Sequence, residues 1–113
     1  MSIQSMQLDQ VFHALADSTR RAVLRHLSVG PVSVSKLAEP FGMALPSFVQ
    51  HLKVLERCKL IRSRKKGRIR TYQLSPRPLK EAGDWMMQRR SVWEQRLNRL
   101  DRHLSKLNEE NDD

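Results

Sequence analysis

The chain contains 113 residues, with 21 lysine and arginine side chains against 12 aspartate and glutamate side chains, and its formal net charge is +9. A chain of this length can bury one modest hydrophobic core, and 39% hydrophobic with 29% charged residues is typical of a folded domain. These numbers exclude a multidomain enzyme, and the single cysteine, Cys58, excludes an intramolecular disulfide and a zinc site built from several cysteines.

The sequence shows no pattern typical of membrane insertion or secretion. Its apolar runs fall well short of the roughly 18 residues that a spanning helix needs, and residues 1–15 lack a basic segment followed by an apolar one. We therefore expect a cytoplasmic protein with no membrane among its partners.

The positive charge is concentrated in one segment. Residues 57–80 carry ten lysine and arginine side chains and no acid, whereas residues 1–56 carry five against four and residues 81–113 carry six against eight. A solvated loop usually mixes both signs, and a membrane-surface helix has a wide apolar face that this segment lacks. Because a focused positive field suits a polyanion, the segment predicts nucleic acid as the partner.

Apolar residues at helical spacing predict two helices near the N-terminus. Asp17 and Ser18 offer a cap for the second helix, and Gly30 and Pro31 end it. The apolar positions are Leu8, Val11, Phe12 and Leu15 in the first helix and Ala22, Val23 and Leu27 in the second.

Two further short helices predict a helix-turn-helix. Ser33 can cap a helix of about two turns, which Pro40 and Gly42 stop. Pro46 suits the first turn of the next helix, which we place over residues 47–57. Two short helices joined by a glycine-containing turn make up this motif. The apolar stripe of the second helix consists of Phe48, Leu52 and Leu55.

A basic β-hairpin follows. Residues 60–64 and 69–74 are rich in β-branched and apolar side chains, and they flank a cationic tip in which Gly67 can take a positive φ. The predicted fold is therefore mostly α-helical with a small β-hairpin. It is a winged helix-turn-helix with about five helices and a two-stranded wing.

The C-terminal part predicts one long helix over about residues 79–107. It carries a heptad seam that suits pairing with another helix, either in the same chain or in a second copy, and the shortness of the rest favours a second copy. Residues 108–113 are expected to form an acidic flexible tail, which leaves residues 1–107 as one DNA-binding and dimerisation domain. The seam consists of Trp93, Leu97, Leu100, Leu104 and Leu107.

Three stretches resemble the arsenic-repressor (ArsR/SmtB) family of bacterial winged-helix regulators. They are FHALADSTRRAVLRHL at residues 12–27, LAEPFGMALPSFVQHLKVLERCKLI at residues 37–61, and the hairpin at residues 62–74. The resemblance implies a dimeric DNA-binding regulator, usually a repressor, whose terminal helices form the dimer interface. With the terminal helices at the interface, the expected dimerisation residues are Leu8 of the first helix and the seam residues. Two symmetry-related copies imply an inverted-repeat operator.

In this family the helix over residues 46–57 enters the major groove. Leu45, Ser47, Gln50 and His51 would be its first exposed positions. Gln50 can pair with an adenine edge or remain solvated, and Ser47 can reach DNA or only bond at the helix start. His51 suits a phosphate contact or a role in fixing the helix, and Lys53 can reach a phosphate. On the wing, flanking backbone or a minor groove would be contacted by Arg64, Lys65, Lys66, Arg68 and Arg70.

Two positions depart from the family pattern. Ala44 and Val49 stand where many members carry serine. The alanine weakens the helix cap by about 1 kcal/mol unless another group compensates, and the valine places an apolar side chain near the groove or the core.

A metal-sensing site is not predicted. Residues 33–39 contain no cysteine, histidine or aspartate, and Asp101 with His103 supplies fewer than the three protein ligands that a transition metal usually takes. We expect no metal and no other cofactor, and an unidentified small-molecule effector remains open as a partner.

Several other side chains admit two interpretations. Cys58 is either a thiol whose pKa is lowered by Arg57 and Lys59 or a small apolar filler. His13 and His26 are expected to be packed histidines. The two tryptophans, Trp85 and Trp93, either line an effector pocket or belong to the core.

Together, the charge distribution, the predicted elements and the family resemblance predict a homodimeric repressor without catalytic activity that binds double-stranded DNA. The alternative is a basic RNA- or ribosome-associated module, although Tyr72 is the only aromatic residue in the basic segment and single-stranded RNA is usually bound by stacking on several. The sequence contains no glycine-rich phosphate loop or nucleophile elbow, so an enzyme is not expected.

Overall fold

The computed structural model describes the backbone of residues 3–111 and the side chains of residues 6–110. Over this range the chain forms five α-helices, three β-strands and one 3₁₀ turn. The helices are α1 (Ile3–Leu15), α2 (Ser18–Leu27), α3 (Val34–Ala38), α4 (Leu45–Arg57) and α5 (Pro76–Asn111). The strands are β1 (Val32–Ser33), β2 (Ile61–Lys66) and β3 (Ile69–Leu74), and the 3₁₀ turn is Glu39–Phe41.

The hydrophobic core joins every element up to the start of α5. The predicted stripe of α4 is confirmed, because Phe48, Leu52 and Leu55 are fully buried. On α2 the stripe is shifted slightly, since Leu24 is buried while Ala22 is only half-buried. The remaining buried core residues are Val11, Ala14, Val23, Leu27, Leu37, Leu60, Ile61, Tyr72 and Ala82.

The sheet contains one more strand than the sequence predicted. Its order is β1-β3-β2 and both pairings are antiparallel, with Val32 opposite Tyr72 and Ile61 opposite Leu74. A strand of two residues has no periodicity to recognise, and its hydrogen-bond partners lie about 40 residues further along the chain. The winged helix-turn-helix fold is confirmed, with β1 as the addition.

The terminal helix is longer than predicted. It begins at Pro76 rather than near Leu79, because a proline in the first turn gives up an N–H that has no partner within the helix. It continues through Asn111, four residues into the segment expected to be a flexible tail. The last two residues of that segment, Asp112 and Asp113, lie outside the described part of the chain.

The described chain divides into two compact units, the first ending at Ala82 and the second beginning at Gly83. Within the second unit, the heptad residues of α5 are between 42% and 60% exposed. Trp85 and Trp93 are exposed as well, each with an arginine over its ring, so of the two alternatives the one that placed them in the core is wrong. None of the helices over residues 3–111 combines the length and the apolar character needed to cross a membrane.

Candidate nucleic-acid interface

The turn into α4 has the geometry that the sequence predicted. Gly42 ends the 3₁₀ turn in the left-handed region, at φ 59°. Ala44 is the N-cap of α4, and its methyl side chain cannot accept the hydrogen bond that a serine would accept. Pro46 occupies the first turn, where a missing N–H costs nothing.

The solvent face of α4 lies opposite its buried stripe. At 100° per residue, Gln50, Lys53 and Arg57 fall on that face, and all three are exposed. Ser47 is exposed beside it, and Leu45 projects a side chain that is 53% exposed. Arg57 was not among the predicted contacts, although its spacing of seven residues from Gln50 could have identified it.

The C-terminal end of α4 is a Schellman motif, which sets the start of the wing. The N–H of Lys59 donates to the carbonyl of Glu56, and the N–H of Leu60 donates to that of Leu55, both at 3.0 Å. Lys59 stands at φ 60°, where glycine is the usual residue. The chain then enters β2 with Leu60 and Ile61 both buried, so the wing is anchored to the core at its base.

The wing is a hairpin with a two-residue turn. Lys66 pairs with Ile69, which leaves Gly67 and Arg68 as the loop. Gly67 has φ 62°, as the first loop position of a type II′ turn requires. The tip is fully exposed, and it includes Ile69 at 60% exposure.

The five predicted wing cations are all exposed but do not share one face. Side chains alternate along a strand, so Arg64 and Lys66 lie on one face of the hairpin. Lys65 and Arg70, which pair across the ladder, lie on the other face. Arg70 is held there by a 2.7 Å hydrogen bond from its Nη1 to Ser63 Oγ. The wing therefore presents positive charge on both faces and, through Arg68, at its turn.

His51 is half-buried, with a side chain 25% accessible, whereas the other predicted contact residues are exposed. Its Nδ1 lies 3.3 Å from Nη1 of Arg20 and 3.6 Å from a carboxylate oxygen of Asp17. Both partners belong to the start of α2, so His51 connects α4 to that helix. The sequence alone gave no indication that Arg20 takes part in this contact.

Arg20 and Arg21 bond to the C-terminal carbonyls of α1. Arg20 donates from Nε to the carbonyl of Ala14 at 2.7 Å and from Nη2 to that of His13 at 3.1 Å. Arg21 donates from Nη1 to the carbonyl of Leu15 at 2.7 Å. The last carbonyls of a helix have no partner within it, and the paired arginines of the LADSTRR segment bond to them. The carbonyl of His13 also accepts from the backbone N–H of Ala16 at 3.2 Å.

Asp17 is the N-cap of α2, as predicted. Its carboxylate accepts from the backbone N–H of Arg20 at 3.0 Å. This hydrogen bond is the main reason that the pKa of Asp17 lies below its ordinary value. Partial burial opposes the shift, and the nearby side chains of Arg20 and, when it is protonated, His51 support it.

Cys58 caps the C-terminus of α4 and is half-buried. Its Sγ lies 3.4 Å from the carbonyl oxygen of Gln10, to which the thiol donates. Burial raises the pKa of this thiol despite the nearby charge of Arg20, so the considered lowering by Arg57 and Lys59 is wrong. Cys58 also lines an open cavity of about 280 Å³.

The expectation that two histidines pack in the core is wrong. His13 and His26 are exposed rather than packed in the core. The ring of His26 lies edge-on to Phe41, with centroids 5.7 Å apart, so it covers the rim of the core from outside. Within residues 6–110, no cluster of three histidine, cysteine or acidic side chains is arranged to hold a metal ion.

The fold and this surface define a winged helix-turn-helix protein, and comparisons with known proteins agree. A family model described as a helix-turn-helix domain matches residues 15–64. The HTH-type transcriptional regulator Rv2034 of Mycobacterium tuberculosis is 44% identical over 68 residues, which cover 60% of this chain and 64% of Rv2034. The transcriptional repressor SdpR of Bacillus subtilis is 32% identical over 80 residues, which cover 71% of this chain and 89% of SdpR.

A solved structure extends the likeness over most of the chain. The crystal structure of the ArsR family transcriptional regulator RHA00566 is 47% identical with a TM-score of 0.76, and the match covers 83% of this chain and 97% of that one. The protein therefore belongs to the ArsR family of helix-turn-helix transcriptional regulators, which are DNA-binding proteins and not enzymes. The family predicted from the sequence is confirmed.

Proposed function

We propose that the protein is a homodimeric repressor that binds an inverted-repeat operator, with α4 in the major groove and the wing on flanking backbone or in a minor groove. The observation that carries the proposal is that the solvent face of α4 and the wing that follows it both carry exposed cations. Lys53 and Arg57 on α4 are followed within a few residues by the exposed cations of the wing. Residues 1–107 act as one DNA-binding and dimerisation domain, and its target places it in the cytoplasm.

The roles of the α4 side chains follow from their positions. Residues at the start of a recognition helix reach base edges, so Gln50 pairs with an adenine and Ser47 bonds to a base or phosphate. Leu45 adds an apolar contact beside them. Lys53 and Arg57 lie further along the same face and neutralise phosphates. If Gln50 remains solvated in the complex, or if Ser47 bonds only to the start of its own helix, that residue is not a DNA contact.

The wing contributes mainly electrostatic attraction. Its charge on two faces suits a groove, which has phosphates on both sides, and Arg68 at the turn is placed to enter it. The full set is Arg64, Lys65, Lys66, Arg68 and Arg70.

A second copy of the chain is the proposed partner of α5. Apolar residues that recur at spacings of four and three residues form the seam of a two-helix interface, and here they are about half exposed. Leu8 is half-buried against the core and lines the cavity beside Cys58, so its part in the dimer is smaller than that of the seam. Two recognition helices related by a two-fold axis would contact half-sites about 34–36 Å apart.

Repression is the proposed outcome of operator binding, since a dimer seated on a promoter excludes polymerase. The similarity to the repressor SdpR supports it. No metal or other cofactor belongs to this proposal, and a small-molecule effector remains open.

Selection of bound fragments tests the proposal. The full chain is incubated with sheared DNA from the source genome and, separately, with total RNA, at two salt concentrations, and the recovered fragments are sequenced. A few duplex fragments that share an inverted repeat are expected. Uniform recovery of DNA would show that the protein binds by charge without sequence specificity. Preferential recovery of RNA would support the basic RNA- or ribosome-associated alternative.

A further inference from the structure

The contacts of His51 decide which of its ring nitrogens carries the proton. Nδ1 lies 3.3 Å from Nη1 of Arg20, within hydrogen-bond reach, and 3.6 Å from Asp17, which is too far for one. A guanidinium group can only donate. Nδ1 must therefore be the acceptor, and in the neutral imidazole the proton is on Nε2.

Arg20 is held too firmly to turn away from this contact. Its Nε and Nη2 are bonded to the carbonyls of Ala14 and His13, and its backbone N–H is bonded to Asp17. The two side-chain bonds leave Nη1 directed at His51. The orientation of the histidine is thus set from α1 and α2 and not from α4 itself.

His51 lies at the edge of the exposed face of α4, which is the face proposed to contact DNA. His51 follows Ser47 by four residues, so both lie on one edge of the exposed face. The side chain of His51 remains 25% accessible although Nδ1 is engaged. The contacts of His51 with Arg20 and Asp17 both involve Nδ1, which leaves Nε2 as the ring nitrogen for a contact with DNA.

We propose that His51 donates a hydrogen bond from Nε2 to a phosphate oxygen of the operator backbone, and that Arg20 is the positioning residue that fixes the tautomer and orientation for it. This rests on the proposed function. It assigns His51 to backbone positioning rather than to base recognition, and it makes Arg20 matter for binding without touching DNA.

The first experiment examines the free protein and needs no DNA. Long-range ¹H–¹⁵N spectra of the full chain distinguish a protonated from an unprotonated imidazole nitrogen. We expect Nε2 of His51 to be protonated and Nδ1 to be bare, with Arg20→Met giving a mixture of tautomers. A proton on Nδ1 in the unaltered protein would overturn the assignment, whatever the protein binds.

The second experiment locates the phosphate. In the selected operator, single phosphates are replaced by uncharged methylphosphonates, and Kd is measured for each duplex. Replacement at one position per half-site should weaken binding of the unaltered protein by about tenfold, as expected for the loss of a hydrogen bond to a charged group. The same replacement should not change the affinity of His51→Ala. If His51→Ala remains sensitive at every phosphate, the proposal is wrong.

Two conservative variants separate a donor from a structural side chain. The amide nitrogen of His51→Gln reaches the place of Nε2, whereas that of His51→Asn reaches only the place of Nδ1. We expect the glutamine variant to keep most of the affinity and the asparagine variant to bind like His51→Ala. Equal binding by the two variants would refute the phosphate contact.

A double-variant cycle tests the part played by Arg20. Arg20→Met should weaken binding in the unaltered protein and add nothing in the His51→Ala background. Independent effects that multiply would contradict the positioning role. Because Arg20→Met also loses bonds to α1, its folding is checked by circular dichroism, and the glutamine and asparagine pair decides the phosphate contact if it fails to fold. Loss of all specific DNA binding by the unaltered protein would instead refute the proposed function.

Discussion

Nε of Arg20 lies 2.7 Å from the carbonyl oxygen of Ala14, six residues earlier in the chain. The bond spans the junction of α1 and α2 and satisfies a carbonyl that helix geometry leaves without a partner. The same side chain reaches His51 on α4. One arginine therefore connects three helices, and this has consequences for stability as well as for binding.

Arg20→Met should destabilise the protein by about 2 kcal/mol, because it removes charge-assisted hydrogen bonds to two helix-terminal carbonyls. Arg21→Met is the matched control. Its single bond to Leu15 is exposed, and we expect a loss below about 0.5 kcal/mol. Urea unfolding at a fixed protein concentration measures both values. Equal losses would show that the shared contacts of Arg20 do not matter.

The cap of α2 should make stability depend on pH. Folding lowers the pKa of Asp17, so its stabilising effect is complete above the ordinary value of 3.8 and is lost as the pH falls through the lowered value. At pH 7 we expect Asp17→Ala to cost about 1 kcal/mol. The difference from the unaltered protein should shrink as the pH falls below 3.8, as followed by urea unfolding. A difference that does not change with pH would contradict this role of the cap.

The wing should dominate the salt dependence of DNA binding. Replacing Lys65, Lys66 and Arg68 with alanine removes six cations from a dimer. If all six contact phosphates, the slope of log Kobs against log salt becomes less steep by about 5. Folding should be unaffected because the side chains are exposed.

The control for the wing removes the same charge elsewhere. Arg99, Arg102 and Lys106 are exposed on the face of α5 opposite the leucine seam. Their replacement by alanine should leave the slope nearly unchanged. Fluorescence anisotropy between 50 and 300 mM salt gives both slopes, and specific binding by the wing variant at physiological salt with an unaltered slope would show that the wing is not the contact.

The seam of α5 should determine the oligomeric state. Leu100→Asn together with Leu104→Asn removes four apolar side chains from a dimer. At about 1.5 kcal/mol for each, this corresponds to roughly 10⁴-fold weaker association. Analytical ultracentrifugation should show monomers for this variant and dimers for Arg99→Asn with Arg102→Asn. Dimers in both cases would place the interface elsewhere.

The thiol of Cys58 should react slowly in the folded protein. Burial raises its pKa, so less thiolate is present at neutral pH. Alkylation by iodoacetamide at pH 7.5, followed by mass spectrometry, should be several-fold slower in buffer than in 8 M urea. Equal rates would show that the thiol is accessible and that its surroundings do not suppress ionisation.

Much of the fold was predictable because its signals are local. The stripe of Phe48, Leu52 and Leu55 follows helical periodicity, the cap at Asp17 depends on a residue three positions away, and the turn at Gly67 depends on one residue's freedom to take a positive φ. The cations proposed to contact DNA were visible for the same reason, since a run without acids needs no knowledge of the fold.

Other features depended on residues that are distant in the sequence. The pairing of Val32 with Tyr72 forms β1, and the contact of Arg20 with His51 joins α2 to α4. In both pairs, no local sequence pattern indicates which distant residue is the partner. The split of the wing cations between two faces likewise follows from strand register.

The sequence by itself determined the helices, the turns and the concentration of charge, because periodicity, capping and composition act between near neighbours. Only the tertiary structure decided how Arg20 is shared among three helices, why Cys58 is less acidic than its charged neighbours suggest, and which ring nitrogen of His51 contacts Arg20. These depend on burial and on distances between segments, which arise only when the core assembles.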